Sequence, residues 1–489
     1  MHGAHLAPSA PRRSDVVVHA GLALAAVLAL AATAIDFHPL VVLLVIVAAI
    51  VVATWHRTLL AWRTLLGTIV VIVLVIPIKR YELPVHLPLQ IEPYRLVVCA
   101  VGAALAGSLL IDPRLRLRRT GLDGPLLLLF VAIAASVFTR TGHILDQGLT
   151  NDVGRSFMFF ASYVVVFYLV TVAVTRRSEV EWLLRLLVGG AAIVGLTAIV
   201  ESRTGFNVFN HLRPVLPILH FDGPPYVTDR GGARAYASSQ HPIAMGAALM
   251  MLTPLAAYLA RSTGQRRWWL ALALLLMGAL ATKSRTGVVM LVVILVVMCV
   301  LQPQARRALP RLLPLLIVVH LAMPGTLGTF RNTLLPHKIV AGETDAQAEF
   351  RSNYGVGRIG EWRPALGEWS QTPIFGQGLG TRITDLGPRF NAPILDDQWL
   401  GSLLELGVLG VIALLWFFVA SIRRLSRLAR RDESDDGWLL AALAASLAAY
   451  AFGMLTFDAF NFVQVTLIMF LVAGLAVVVM RPRRAETPA

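Results

Sequence analysis

The sequence predicts an all-α fold, a polytopic transmembrane helix bundle of about fourteen spans with two long external loops, and three observations predict it. Hydrophobic residues make up 57% of the 489-residue chain and charged residues only 15%, against roughly 25% charged in an average soluble domain. Apolar runs near membrane-spanning length recur from Val16 to Met480, and the mean hydropathy is +0.70. Most of these runs are closed on one side by arginine, which is how a chain records its orientation across a bilayer.

Taken in order, the apolar runs place helices near 16–35, 39–54, 60–78, 95–111, 123–138, 156–175, 180–200, 241–260, 267–283, 286–301, 311–327, 397–420, 437–456 and 461–480. The segments 39–54, 267–283 and 286–301 are short and depend on tilt or flanking residues to span. Val16–Ala34 follows Arg12 and Arg13 and ends in Ala-Thr-Ala, the pattern of a cleavable signal peptide. A retained first helix gives an even span count and a consistent charge map, and is preferred. With the N-terminus inside, the linkers at 55–59, 112–122, 176–179, 261–266, 302–310 and 421–436 and the tail at 481–489 collect most arginines, Arg114, Arg116, Arg118 and Arg119 among them. Both termini are then cytoplasmic, in a cytoplasmic (inner) membrane. The chain divides into N-terminal transmembrane helices (1–200), an external loop (201–240), central helices (241–327), a large external loop (328–396), and C-terminal helices with a cytoplasmic tail (397–489). Loops this long usually carry function, and the second has the composition for short helices around Trp362 and Trp369.

The net charge of +15 and the pI near 10.7 do not point to nucleic acid, because the basic residues are spread between apolar runs rather than gathered on one soluble face. Cys99 and Cys299 lie inside apolar runs, which leaves no disulfide framework or thiolate metal site. His211, His220, His241 and His337 lack metal-ligand spacing; neither a metal nor a cofactor is expected. Phe375-Gly376-Gln377-Gly378-Leu379-Gly380 lacks the strand-to-helix setting and the Lys-Ser/Thr ending of a phosphate loop, and reads as a tight external loop.

Several arginines fall in the outer loops, against the orientation rule. Long loops translocate regardless of charge, which accounts for many of them. Lys283 and Arg285 differ, because Thr282-Lys283-Ser284-Arg285-Thr286-Gly287 is a tight hairpin between two spans, where a cation either snorkels or meets an anion. On the outer face of a membrane protein that anion is most simply a lipid phosphate or pyrophosphate, whose oxygens a guanidinium grips bidentately.

At this point the chain resembles the O-antigen polymerase and O-antigen ligase superfamily. The stretch Arg234-Ala-Tyr-Ala-Ser-Ser-Gln-His-Pro-Ile-Ala-Met-Gly is similar to the family pattern of an arginine eight residues before a Pro-initiated helix, here Arg234 and Pro242. Ser284-Arg285-Thr286-Gly287 resembles the family's Ser-Arg-Gly-type turn. Arg358, Trp362, Ala365, Pro373, Gly376, Gly378 and Gly380 follow the family's Arg…Trp…Pro-x-x-Gly-x-Gly-x-Gly run, and Asp396-Asp397-Gln398-Trp399-Leu400 through Gly410 resembles the start of the next helix. The likeness covers roughly residues 180 to 480 and is densest at 355–420. Three departures mark this chain: Asp396-Asp397 stand where family ligases have His-Asn, Ala237 stands where Gly is expected, and His241 and Ile243 flank the proline in place of Asn. These favour a polymerase-like member over a lipopolysaccharide ligase.

The resemblance implies glycosyl transfer outside the membrane. A polyprenyl-pyrophosphate-linked glycan donates its sugar to a hydroxyl of a glycan or lipid-glycan acceptor. Membrane lipid and other polysaccharide-assembly proteins are the further partners. Such a site needs cations for the departing pyrophosphate and a base for the hydroxyl. Arg234, Arg285 and Arg358 are the expected cations, Asp396 and Asp397 the expected catalytic carboxylates, and His241, Glu405 and Asp458 further candidates. Plainer alternatives stay open beside them: Arg234 capping a helix or pairing with Asp229, Asp396 and Asp397 as helix cap and first-turn acid, Glu405 with a structural partner inside the bundle, Asp458 ending a helix. A transporter or flippase of an anionic lipid-linked glycan is the main rival, and it predicts repeats or broken helices near the midplane. A membrane scaffold would need no converging external arginines.

Overall fold

The computed structural model describes residues 61–83, 92–111, 116–217, 219–225, 234–307, 358–384, 391–392 and 395–481; the helices expected at 16–35, 39–54 and 311–327 lie outside them. The chain forms two compact units, Met1–Thr68 and Ile69–Ala489. The first is described only from 61 to 68, where helix α1 (Trp62–Val75) begins.

Each remaining expected span is a helix: α2 (Pro93–Ile111), α3 (Asp123–Thr139), α4 (Thr150–Ala173), α5 (Arg177–Thr204), α6 (Pro242–Thr263), α7 (Arg266–Ala281), α8 (Arg285–Leu301), α10 (Gln398–Ala429), α11 (Asp435–Gly453) and α12 (Val463–Met480). Helix α9 (Arg358–Trp369) is the short helix expected around Trp362 and Trp369. Seven of these, α2, α4, α5, α6, α10, α11 and α12, are long and apolar enough to cross a membrane, while α1, α3 and α8 are apolar but shorter. The expected external loop at 201–240 is shorter than the sequence suggested. Helix α5 runs on to Thr204 before Gly205, at φ 74°, ends it in a left-handed cap, and a two-stranded antiparallel ribbon pairs Tyr81–Glu82 with His220–Phe221. That ribbon is a small exception to the all-α expectation.

Burial sorts the spans into a centre and a surround. In the apolar windows of α6, α11 and α12, 94%, 83% and 89% of residues are buried, against 50% in α4 and α5 and 44% in α10. The centre is therefore protein-lined and the surround half-lined. Helix α11 packs on α6, α8 and α10, α12 on α4, and α7 on both α5 and α6. Small residues permit the closest approaches, since a side chain at Gly195 of α5 would strike the Leu274 backbone of α7 and one at Gly278 would strike Gly195.

Helix α10 is broken where an unbroken helix was expected, with Gly407 at φ 66°, ψ −168°, a region open only to glycine. A break inside a membrane helix strands backbone groups that lipid cannot satisfy. The segment 373–378 takes their place: Gln377 N donates to Leu404 O at 2.8 Å and Gly378 N to Glu405 O at 3.1 Å, while Val408 N donates to Pro373 O at 2.9 Å. The glycine run is thus a strip thin enough to dock into the break, where a side chain at Gly376 would collide with the backbone of Glu405 and Gly407.

Candidate functional site

Beside the break, a cavity of about 170 Å³ opens between the starts of α4 and α10, the glycine loop and the α11–α12 linker at 454–462. Linkers supply much of its lining, Lys79 after α1 among them, while Leu129 and Ile133 reach it from the middle of α3. Its polar wall holds Lys79, Asp152, Arg155, Arg382, Asp397, Glu405 and Asp458, and its apolar wall includes Phe159, Tyr163 and Phe460.

Of the expected carboxylates, Asp397 is the N-cap of α10. Its Oδ1 accepts from Trp399 N at 2.9 Å and from Leu400 N at 3.2 Å, and the residue is buried. The cap is therefore Asp397 and not Asp396, to which the plainer alternative gave it, and Asp397 also lines the cavity. Asp396 is half-buried one residue earlier; its charge is felt by Asp458. Glu405 has the structural partner expected of it, its Oε1 accepting from Gly380 N at 3.3 Å, and it faces the cavity as well. Asp458 Oδ2 accepts from Asn461 Nδ2 at 2.9 Å. Burial holds the Asp458 carboxyl above the usual carboxylate range; the Asp396 charge pushes the same way, with Asn461 and Lys79 pulling against both.

Two of the expected cations, Arg234 and Arg285, lie on adjoining segments at a second place. Arg234, buried, donates Nε to Thr282 O at 3.2 Å, and Ala235 N donates to Ala281 O at 3.2 Å, so the Arg234 segment runs along the hairpin that carries Arg285. Arg285 opens α8 after Ser284. His241 is the N-cap of α6, its Nδ1 accepting from Ile243 N at 3.2 Å, and its ring stacks on Phe462 at 5.7 Å. Arg358 opens α9, and its side chain, like Asp229, lies outside the described residues. The linker at 454–462 touches both places. Thr456 donates to Thr286 Oγ1 at 2.9 Å beside Arg285, and Asp458, Phe460 and Asn461 line the cavity.

A buried network that no motif announced holds the Arg234 segment in shape. Ala237, at the family's glycine position, sits at φ 42°, which costs a non-glycine residue about 1–2 kcal/mol. Glu201 Oε2 accepts from Ala237 N at 2.7 Å, and Arg80 Nη2 donates to Ala237 O at 2.5 Å and Ser239 O at 2.9 Å while Nη1 reaches Asn210 Oδ1 at 2.6 Å. Burial lowers the Arg80 pKa to about 10, which leaves it cationic at neutral pH. Arg80→Met is expected to cost about 3 kcal/mol or more by stranding these acceptors and Glu201. Thermal denaturation of the purified protein in detergent measures it; a melting point unchanged from wild type would show that the network carries no such load.

Sequence reasoning missed Lys79, Asp152, Arg155 and Tyr163. Lys79 Nζ donates to Asn461 Oδ1 at 3.2 Å, and Tyr163 OH donates to Phe460 O at 2.9 Å. The available signal was Asp152 and Arg155, two charges one helical turn apart at the head of an apolar run.

The family model for O-antigen ligase matches residues 270–415. The match takes in Arg285, Arg358, the glycine run, Asp396, Asp397 and Glu405, whereas Arg234, His241 and Asp458 fall outside it. No curated protein matches the chain. With its all-helical architecture and seven helices of spanning length among the described residues, the chain is a multi-pass membrane protein whose residues 270–415 match the family model for O-antigen ligase.

Proposed function

We propose that the protein is a membrane glycosyltransferase, polymerase-like, that transfers or polymerises glycan from a polyprenyl-pyrophosphate donor at the outer face of the cytoplasmic membrane. Arg234 and Arg285, with Arg358, bind the pyrophosphate, and Asp396 acts as the base for the acceptor hydroxyl with Asp397 beside it. The observation that carries this reading is the linker at 454–462, which joins the Arg234–Arg285 hairpin to the carboxylate-lined cavity, inside and beside a stretch that matches the O-antigen ligase family. A leaving pyrophosphate and an attacking hydroxyl need those two kinds of group side by side. The break in α10 is a feature shared with transporters, whose unwound backbone binds cargo. Here the glycine strip occupies that backbone, which favours the enzyme. Purified protein incubated with polyprenyl-pyrophosphate glycan is expected to lengthen or transfer it; a protein that moves the lipid across vesicles without forming a glycosidic bond would be a flippase.

The clamp makes its own prediction. Lysine keeps the charge but loses the bidentate fork, so Arg234→Lys and Arg285→Lys are each expected to lower transfer about tenfold or more at unchanged protein level. Normal turnover in both would end the clamp.

The topology proposed with it is fourteen spans with both termini inside, divided at 200, 240, 327 and 396 as the sequence predicts. A reporter fused after Arg431 should read cytoplasmic and one inserted at Gly342 external. Two cytoplasmic readings would refute the map.

A further inference from the structure

We infer that the cavity beside the break is a binding subsite for one neutral pyranose ring of the glycan, an assignment that rests on the glycosyl-transfer reading above. Gln398, Gly401 and Glu405 line it from α10 at intervals of three and four residues, which is one helix face. Opposed chemistries meet there. Lys79, Arg155 and Arg382 bring three cations against the four carboxylates of Asp152, Asp397, Glu405 and Asp458. Arg382 is already paired with Glu368 and Lys79 is bonded to Asn461. With four carboxylates against three cations, one of which is held by Glu368 outside the wall, the cavity does not draw in an anionic ligand. It offers closely spaced donors and acceptors, which suits hydroxyls because each both donates and accepts. Phe460, half-buried in the lining, adds aromatic surface on which the C–H face of a sugar ring can rest.

Size narrows the ligand further. The volume of about 170 Å³ lies below the roughly 300–1,000 Å³ of pockets that enclose drug-sized molecules. A cavity of this size takes one ring, with any further sugars of a glycan outside it. The ring belongs either to the donor or to the acceptor, and the two sources separate by experiment.

Gly401 gives the test. It lies in the first turn of α10, and a Cβ built on it meets only Gln398 Nε2, at 3.8 Å, so a side chain there grows into the cavity without striking the backbone. Gly401→Leu is expected to raise KM for one substrate about tenfold or more, in line with the cost of overpacking a filled site, while kcat changes less. Gly401→Ala should shift the same KM by a smaller factor. Gly189→Leu, at a helical glycine of α5 with nothing within 4 Å, controls for expression and folding. A KM change confined to the acceptor places the acceptor ring in the cavity, and one confined to the donor places the donor ring there. If Gly401→Leu keeps both KM values within twofold of wild type, the subsite is wrong. A wild-type protein with no transfer activity would refute the proposed function alone, and a second measurement then decides the cavity. Saturation-transfer NMR of the purified protein with methyl glycosides of glucose, galactose, mannose, rhamnose and N-acetylglucosamine should show contact with at least one, abolished by Gly401→Leu. Contact with none, or with methyl glucuronide alone, overturns the neutral-ring assignment.

Discussion

Replacing Asp396 by Asn is expected to lower turnover by at least about a hundredfold, the lower end of what a general base contributes. The structure makes this substitution cleaner than the sequence allowed, because the capping of α10 falls to Asp397, whose Oδ1 holds the amides of Trp399 and Leu400 in the first turn. Asp396→Asn therefore removes a carboxylate and leaves the cap. Asp397→Asn keeps the cap too, since Asn caps a helix as well as Asp, and is expected to be milder. Asp396→His should retain part of the activity, as the resemblance to ligases with histidine at that position implies. Single-turnover rates with saturating donor and acceptor measure all three. Should Asp396→Asn retain more than about a tenth of wild-type turnover, its loss falls short of the general-base range. The base would then be Asp458, which lines the cavity and whose burial already holds its pKa above the ordinary carboxylate range. With Asp458 as the base, activity would fall as pH drops through that raised value, and the acid limb would lie higher than an ordinary aspartate gives.

Much of the bundle was legible because spans announce themselves by length and hydropathy, and helix starts by their caps. Pro242 after His241 opens α6 as a proline at the first helical position does, and Asp397 opens α10. The break at Gly407 was not legible. Periodicity around Leu404-Glu405-Leu406-Gly407 continues as in an unbroken helix, and only the docked strip at 373–378, a partner distant in sequence, shows why the chain unwinds there. The site divided in the same way. Arg285, Asp396 and Asp397 stand inside dense motifs and were expected as site residues on that ground; of the three, Asp397 lines the cavity. Lys79, Asp152 and Arg155 were not expected, because each looks alone like an ordinary flanking charge, and they meet Asp458 only when α4, α10 and the 454–462 linker pack together. The Arg234 segment shows the intermediate case. Its odd alanine was visible as a departure from the family's glycine, but the cause of its tolerance, Arg80 and Glu201 bonding to Ala237 on both sides, comes from two other parts of the chain.

Gly407→Ala is expected to abolish both transfer and the folded protein, the largest effect on stability foreseen here. Three costs fall on one residue. At φ 66°, ψ −168° the backbone stands in a region that is essentially glycine-only and costs other residues about 1–3 kcal/mol. The added methyl would collide with the Ile374 carbonyl, so the strip at 373–378 has to move. Its movement strands Leu404 O, Glu405 O and Val408 N, which bond to Gln377, Gly378 and Pro373, and each buried group left unbonded costs about 1–3 kcal/mol. The total rivals the roughly 5–15 kcal/mol by which a whole protein is usually stable. Gly367→Ala in α9 provides the contrast, since nothing lies within 4 Å of a side chain there and a helical glycine gains up to about 1 kcal/mol on becoming alanine. Detergent-solubilised yield and thermal denaturation of the two variants are the measurement. Gly407→Ala should give little monodisperse protein and Gly367→Ala should match wild type. A Gly407→Ala protein that melts within about 2 °C of wild type, a shift worth only about 2 kcal/mol in a chain of this size, would mean that α10 can close its break and that the glycine strip does not depend on it.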